Sequence, residues 1–146
     1  MKNLISLIFL TFTMFVFAQE APVANDASIT INEGDTKTGT LIGSDSDGDG
    51  LSFAVVGTPN RGTVTINSNG FFTYVHSGGE GASDSFTFSI TDDSASQLTS
   101  NTATVTITIN PVNDAPVIAD ISKTLDEGAS AEISVSGTDA ESAILV

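Results

Sequence analysis

The sequence predicts an all-β protein, an antiparallel sandwich of about seven strands followed by an incomplete second repeat. From Ser28 onward, short runs rich in Val, Ile, Thr and Phe alternate with Gly, Asn, Asp and Ser, the residues that favour turns. No stretch keeps the 3.6-residue period of an amphipathic helix. The strongest runs alternate apolar and hydroxyl side chains, which gives a strand one buried and one solvent-facing side.

The N-terminus, residues 1–18, has the features of a secretory signal peptide. A positive start that contains Lys2 precedes the apolar run Leu4–Phe17, and Val16-Phe17-Ala18 supplies the cleavage site. The run of 14 residues is short for a membrane span, which needs about 20 residues. We therefore expect a mature chain that begins at Gln19, is secreted or exposed at the cell surface, and is not inserted in the membrane.

Seven strands are predicted in chain order. The sixth is among the clearest, because Phe86, Phe88 and Ile90 alternate with Ser and Thr. Asn67–Gly70 has the composition of a hairpin turn, in which Gly70 can adopt a positive φ. The predicted strands are Ser28–Asn32, Lys37–Gly43, Leu51–Gly57, Thr63–Ile66, Phe71–Val75, Asp84–Thr91 and Thr102–Ile109.

The segment between the second and third strands, Gly43–Leu51, reads G-S-D-S-D-G-D-G-L. Asp45, Asp47 and Asp49 can converge on Ca²⁺, which takes about six to eight oxygen ligands in flexible geometry. An EF-hand is excluded, because Val56 stands where its bidentate Glu would be and the flanks are strand-like. A solvated β-turn without an ion is the alternative, and the loop alone leaves both open.

The charge balance limits the partners. Apart from Lys2, three basic residues stand against 18 acidic ones, a net charge of −15 in the mature chain. Such a surface repels phosphate, so nucleic acid and anionic membranes are poor partners, whereas metal cations are favoured. The chain has no cysteine, so a packed core with bound metal, rather than disulfides, is expected to stabilise it.

The residues for common catalytic sites are scarce. His76 is the only histidine, and its position at a strand end before two glycines favours a turn residue over a catalytic base. We expect no enzymatic activity. Asp92, with Asp93 behind it, forms either a local turn or a further pair of calcium ligands. Glu80 is interpreted as one more loop acid.

An internal repeat sets the domain boundaries. A displacement of 94 residues aligns residues 19–52 with residues 113–146 without a gap. Eleven of the 34 pairs are identical, where unrelated sequences would share about two or three. We therefore expect one complete unit in residues 19–112 and the start of a second in residues 113–146, as in a fragment of a longer repeat array.

This repeat, the aspartate loop, G-x-x-D-S-F-T-F at Gly81–Phe88 and P-V-N-D-A-P at Pro111–Pro116 together resemble the bacterial cadherin-like tandem repeats and the related VCBS and bacterial Ig-like modules. The resemblance covers nearly all of the mature chain. It implies an Ig-like or cadherin-like sandwich in a string of similar domains, with Ca²⁺ at the junctions and a role in adhesion or as a surface stalk. The implied partners are neighbouring repeats of the same chain and a protein or glycan ligand at the cell surface.

The resemblance also implies a set of metal ligands. Glu33 is similar to the glutamate at the base of a cadherin domain, and the D-R-E segment of cadherins has no counterpart between Phe71 and Asp84. Asp45, Asp47, Asp49 and Asp92 are the ligands expected from the residues themselves. The implied junction ligands are Glu33, Asn113, Asp114, Asp139 and Glu141.

Two functions remain open. The first is a secreted or cell-surface structural and adhesive module that binds calcium and has no catalytic activity. The alternative is an accessory or carbohydrate-binding domain of a large extracellular hydrolase, for which Phe71, Phe72 and Tyr74 could offer a sugar-stacking face. Core packing is the more favoured role of these aromatic residues.

Overall fold

The computed structural model describes residues 18–140, and the regular structure in this range consists of strands. Helices long and apolar enough to cross a membrane are not found there. Residues 1–17 of the predicted signal peptide, and Glu141, lie outside the described residues. The strands are β1 (Val23–Ala24), β2 (Ala27–Asn32), β3 (Thr36–Thr40), β4 (Gly43–Ser44), β5 (Leu51–Gly57), β6 (Gly62–Ile66), β7 (Phe71–His76), β8 (Ser83–Asp92), β9 (Ala103–Asn110), β10 (Val117–Ile118) and β11 (Gly137–Thr138).

Two sheets form the predicted sandwich. One has the order β2-β9-β8-β5 and the other has the order β3-β7-β6. Their inner faces share one core, in which the rings of Phe72 and Phe86 approach with centroids 5.6 Å apart. All neighbours are antiparallel except β2 and β9, which run parallel. The all-β sandwich expected from the sequence is confirmed.

The alternation of β8 and β9 builds the centre of this core. Phe86, Phe88 and Ile90 are each no more than 1% exposed, and the intervening Ser and Thr side chains face outward. On β9, the buried row begins at Ala103 and ends at Ile109. Period-2 hydrophobicity in these strands therefore predicted the buried face correctly.

The second predicted strand, Lys37–Gly43, is two strands in the structure. β3 ends at Thr40, Leu41 turns into the core at 3% exposure, and β4 then pairs with β1. The break occurs because β7 begins at Phe71, opposite Thr40. The Leu41 N–H donates to the Gly70 carbonyl in the turn before β7, and the Ile42 carbonyl then accepts the Asn25 N–H beside β1. The predicted Asn67–Gly70 turn is confirmed, with a φ of 84° at Gly70.

Strand directions define two ends of the sandwich. At the loop end lie the Asp45–Asp49 loop and the end of β8. At the junction end, β2 and β9 finish side by side at Asn32 and Asn110, and β8 begins. The ten residues of β8, at about 3.3 Å each, separate the two ends by about 30 Å.

Residues 113–140, the proposed start of a second repeat, contain one ladder that matches a ladder of residues 19–112. Val117 pairs with Thr138 and Ile118 with Gly137, in the same register as Val23 with Ser44 and Ala24 with Gly43. Outside this ladder, residues 113–140 form no strand and are almost entirely exposed. The segment therefore contributes nothing to the buried core described above.

Limited proteolysis tests the proposed boundary between residues 19–112 and the second repeat. We expect cleavage to begin within residues 113–140, because their backbone is exposed and little hydrogen-bonded. The measurement is the mass of the first stable fragment. A fragment cut inside residues 27–110 before this segment is lost would contradict the boundary.

Candidate metal centres

The loop end carries a group of carboxylates between β4 and β5, called here the loop cluster and defined as Asp45, Asp47 and Asp49. Each offers an oxygen within 4.8 Å of the others. Asp45 organises the loop: its Oδ1 accepts hydrogen bonds from the N–H groups of Asp47 (2.8 Å), Gly48 (3.0 Å) and Asp49 (3.4 Å). Its Oδ2 is buried and has no hydrogen-bond partner. The loop is therefore both a side-chain-stabilised turn and a concentration of negative charge.

Asp92 lies beside this cluster at the end of β8. It is only 3% exposed, and its Oδ1 accepts from Ser94 Oγ (2.6 Å), Ser94 N–H (3.2 Å) and Leu98 N–H (3.0 Å). Its Oδ2 is buried without a hydrogen-bond partner. Asp92 thus resembles Asp45: one carboxylate oxygen accepts hydrogen bonds that stabilise a loop, and the other is buried without a hydrogen-bond partner.

The pKa of Asp49 reflects the proximity of the neighbouring carboxylates. Burial raises the pKa of Asp49 above its ordinary value, and the hydrogen bond from the Gln19 side-chain amide only partly opposes this. The charges of Asp45, Asp92 and Asp93 raise the pKa further. Asp93 also accepts the Gly50 N–H at 2.7 Å. The loop end therefore holds several carboxylates that repel one another.

A second group of carboxylates, called here the junction cluster, consists of Glu33, Glu80 and Asp114. Their carboxylates reach within 4.8 Å of one another from three separate segments: the end of β2, the β7–β8 loop and the linker after β9. Glu33 Oε2 accepts the Val112 N–H at 3.4 Å. Its Oε1 is buried and has no hydrogen-bond partner. The junction end therefore also concentrates negative charge around a bare oxygen.

The predicted site residues divide between the two ends. Asp92 lies beside the loop cluster, whereas Glu33 lies at the junction end with Asp114. Asp139 shares with Asp114 a cavity of about 420 Å³ beside the junction. The Asn113 side chain makes a local hydrogen bond, in which its amide donates to the Asp114 carbonyl at 2.7 Å.

Glu80 was not identified as a junction residue from the sequence. The cadherin pattern places a D-R-E segment in this part of the chain, and Glu80 belongs to no such segment. The available signal was positional, because Glu80 lies just before β8, at the end of the sheet where the Glu33 strand also stops.

Asp84 was also missed, although the alternation of β8 contains it. The inward row of this strand reads Asp84, Phe86, Phe88, Ile90 and Asp92, an apolar row with a buried carboxylate at each end. Asp84 is saturated: it accepts the N–H groups of Asn60, Arg61 and Ser85 and the hydroxyl of Tyr74, all at 2.8–2.9 Å.

The charge of Asp84 is correspondingly favoured. Burial alone raises the pKa of Asp84, but the three backbone donors and the Tyr74 hydroxyl together lower it below its ordinary value. Burial, followed by the hydrogen bond to this carboxylate, raises the pKa of Tyr74. Asp84 is thus a structural carboxylate, whereas Asp92 keeps one bare oxygen in the matching position at the other end.

The comparisons with known proteins give a family and a fold. A family model described as bacterial cadherin-like domain matches residues 19–111. No curated protein matches the chain. The crystal structure of human protocadherin-24 EC1-2 is 18% identical, with a TM-score of 0.54, and the match covers 87% of this chain and 64% of that one.

An endo-fucoidan hydrolase of glycoside hydrolase family 107 is a weaker structural match. It is 20% identical with a TM-score of 0.43, over 63% of this chain and 14% of the hydrolase. The chain thus spans less than two thirds of either structure. The protocadherin likeness supports the sandwich fold alone.

Proposed function

This chain belongs to the bacterial cadherin-like domain family through residues 19–111, and from that premise we propose that it is a calcium-binding repeat module. Its role is structural and adhesive, in a secreted or cell-surface protein, and it is not catalytic. Its first partners are the neighbouring repeats of the same chain.

The junction cluster carries this proposal. Three carboxylates from separate segments face one another, and Glu33 Oε1 is buried without a hydrogen-bond donor. Bringing like charges together is unfavourable, and a buried carboxylate oxygen without a partner adds to that cost. A divalent cation would offset both. The donor set fits Ca²⁺, because it consists only of hard carboxylate oxygen atoms.

A cation at this position would connect the sandwich to the second repeat. Glu33 and Glu80 belong to the sandwich, whereas Asp114 lies in the linker and shares its cavity with Asp139 of the second repeat. Ligands drawn from both sides restrict the angle between successive repeats. We propose this stiffening as the contribution of calcium to a surface stalk, which would present a protein or glycan ligand away from the cell.

The loop cluster is proposed as a second cation site. Asp45 and Asp92 each use one oxygen to hold a loop and leave the other buried and bare. The contrast with Asp84, whose oxygens are all occupied, favours a ligand role for Asp92. Gln19 and Glu20 donate hydrogen bonds to Asp49 and Asp47, so the start of the mature chain partly covers this cluster.

The alternative, a carbohydrate-binding accessory domain, gains little from the described residues. Phe72 and Tyr74 are buried at 3% and 0% exposure, and only Phe71, at 41%, faces solvent. A single ring offers no extended stacking face.

Calcium is expected to stabilise the folded chain. At about ten times Kd, binding to the folded state alone contributes RT ln 11, or about 1.4 kcal/mol per site, which raises the melting temperature by several degrees. The measurement is thermal melting in chelator and in millimolar calcium at equal ionic strength, so that simple screening acts alike in both.

Paired variants assign the effect to each end. Asp45→Asn with Asp47→Asn should remove the contribution of the loop cluster, and Glu33→Gln should remove that of the junction cluster. Each variant should retain the contribution of the other end, which lies about 30 Å away. An unchanged midpoint in the parent chain would falsify the proposed calcium binding.

A further inference from the structure

His76 is the buried histidine at the end of β7, and it lies at the junction end. It is 3% exposed. Its Nδ1 accepts two backbone hydrogen bonds, from the N–H of Gly34 at 3.0 Å and from the N–H of Gly78 at 3.2 Å. Because Nδ1 accepts, it carries no proton, and the ring proton of the neutral imidazole lies on Nε2.

The two donors belong to the two segments that carry the junction carboxylates of the sandwich. Gly34 directly follows Glu33, and Gly78 lies in the β7–β8 loop two residues before Glu80. A single nitrogen atom therefore connects the Glu33 turn to the Glu80 loop. The contact with Gly34 could not be inferred from the sequence, since Gly34 and His76 are 42 residues apart, whereas the contact with Gly78 is local.

Other contacts also restrain the two segments, and one of them joins β7 to the Glu33 turn, since the His76 N–H donates to the Asp35 carbonyl at 3.1 Å. The Glu33 N–H donates to the Asn110 carbonyl at 2.9 Å, which fixes the turn to β9. On the other side, the Arg61 guanidinium donates to the Glu80 carbonyl. A Cβ at Gly81 would lie 2.2 Å from the guanidinium carbon, so glycine leaves the space that Arg61 occupies.

We propose that His76 is a positioning residue for the junction cation site, which it preforms by holding the Glu33 turn and the Glu80 loop together. This inference rests on the proposed function. Two carboxylates on untethered segments would move apart by mutual repulsion, and a cation would then have to bring them together again. Fixing the segments before binding reduces that loss of affinity.

The test is calorimetric titration of the full chain with calcium, in a background that carries Asp45→Asn and Asp47→Asn so that only the junction site is measured. His76→Leu removes the acceptor and fills the buried position with an apolar side chain of similar size. His76→Asn restores an acceptor oxygen near the position of Nδ1. Glu33→Gln removes a proposed ligand.

We expect His76→Leu to weaken calcium binding about tenfold, and His76→Asn to recover affinity to within about threefold of the parent, as rescue by an acceptor requires. Glu33→Gln should abolish the binding. The inference is wrong if the His76→Leu variant binds calcium as well as the parent. It is also wrong if the His76→Leu and His76→Asn variants lose the same affinity, because His76 would then not act through its acceptor nitrogen. If Glu33→Gln leaves binding intact, the proposed function itself is wrong.

Amide hydrogen exchange provides a second measurement that does not depend on the leucine variant folding. In the calcium-free parent, the Gly34 and Gly78 amides should exchange slowly, and in His76→Asn they should remain protected. Rapid exchange of both amides in the calcium-free parent would overturn the inference, because the two segments would then not be held together before binding.

Discussion

Replacing Phe88 with alanine is expected to remove a large part of the stability of the sandwich. The side chain is fully buried between the sheets and stacks on Phe53 at a centroid distance of 6.2 Å. Truncating a buried Phe typically costs about 3–5 kcal/mol. A domain of this size is stable by only about 5–14 kcal/mol, so we expect the melting temperature to fall by at least about 15 °C.

Phe71→Ala is the matched control for this substitution. Phe71 is 41% exposed on the outer face of β7, so its truncation should change the free energy of unfolding by less than about 1 kcal/mol. Urea denaturation of both variants gives the comparison. Equal losses in the two variants would mean that the two sheets do not pack through Phe88.

The core was predictable because it depends on neighbours in sequence. Phe86, Phe88 and Ile90 alternate with small polar residues, and the period of two in a strand decides the buried side without knowledge of its partners. The repeat was equally accessible, since Val117 and Thr138 pair as Val23 and Ser44 do. Both inferences use only local spacing or a comparison of the chain with itself.

The junction cluster was less accessible because it depends on strand pairing. Glu33 and Glu80 meet only because β2 pairs in parallel with β9 and β8 begins at the same end. Nothing local in the sequence specifies that parallel pair or places Glu80 beside Glu33. The resemblance to cadherin-like repeats suggested Glu33 and Asp114, but it could not suggest a residue outside the family motif.

Asp84 shows a third situation: the alternation of β8 places it on the buried face, but aspartate is usually an exposed residue, so its burial was not predicted. An aspartate at the start of a strand is ordinarily exposed, yet Asp84 is in phase with Phe86 and is only 8% exposed. Its burial is possible because the turn before β6 directs the N–H groups of Asn60 and Arg61 at it, while Tyr74 donates from the facing sheet.

Asp84→Ala is therefore expected to destabilise the chain about as much as a large core truncation. Removing the carboxylate leaves three backbone N–H groups and the Tyr74 hydroxyl without their acceptor. An unpaired buried donor costs about 1–3 kcal/mol. The Tyr74 contact is buried and the three backbone contacts are partly buried, so water can satisfy some of these donors and a total loss of about 3–5 kcal/mol is expected. Tyr74→Phe, which removes one donor and leaves the carboxylate in place, should cost only about 1–2 kcal/mol.

The pH dependence of the unfolding free energy distinguishes the contribution of the Asp84 charge from that of its hydrogen-bond geometry. Because its pKa is lowered in the folded state, the ionised carboxylate contributes stability at neutral pH. That contribution is complete above the unfolded pKa of about 3.9 and is lost as the pH falls from there through the lower folded pKa. The difference in unfolding free energy between the parent and Asp84→Asn should therefore be constant from pH 7 to about pH 5 and should shrink below about pH 4. A difference that stays constant down to about pH 2 would show that the asparagine variant is less stable because its amide cannot make the same hydrogen bonds. The charge of Asp84 would then not stabilise the fold.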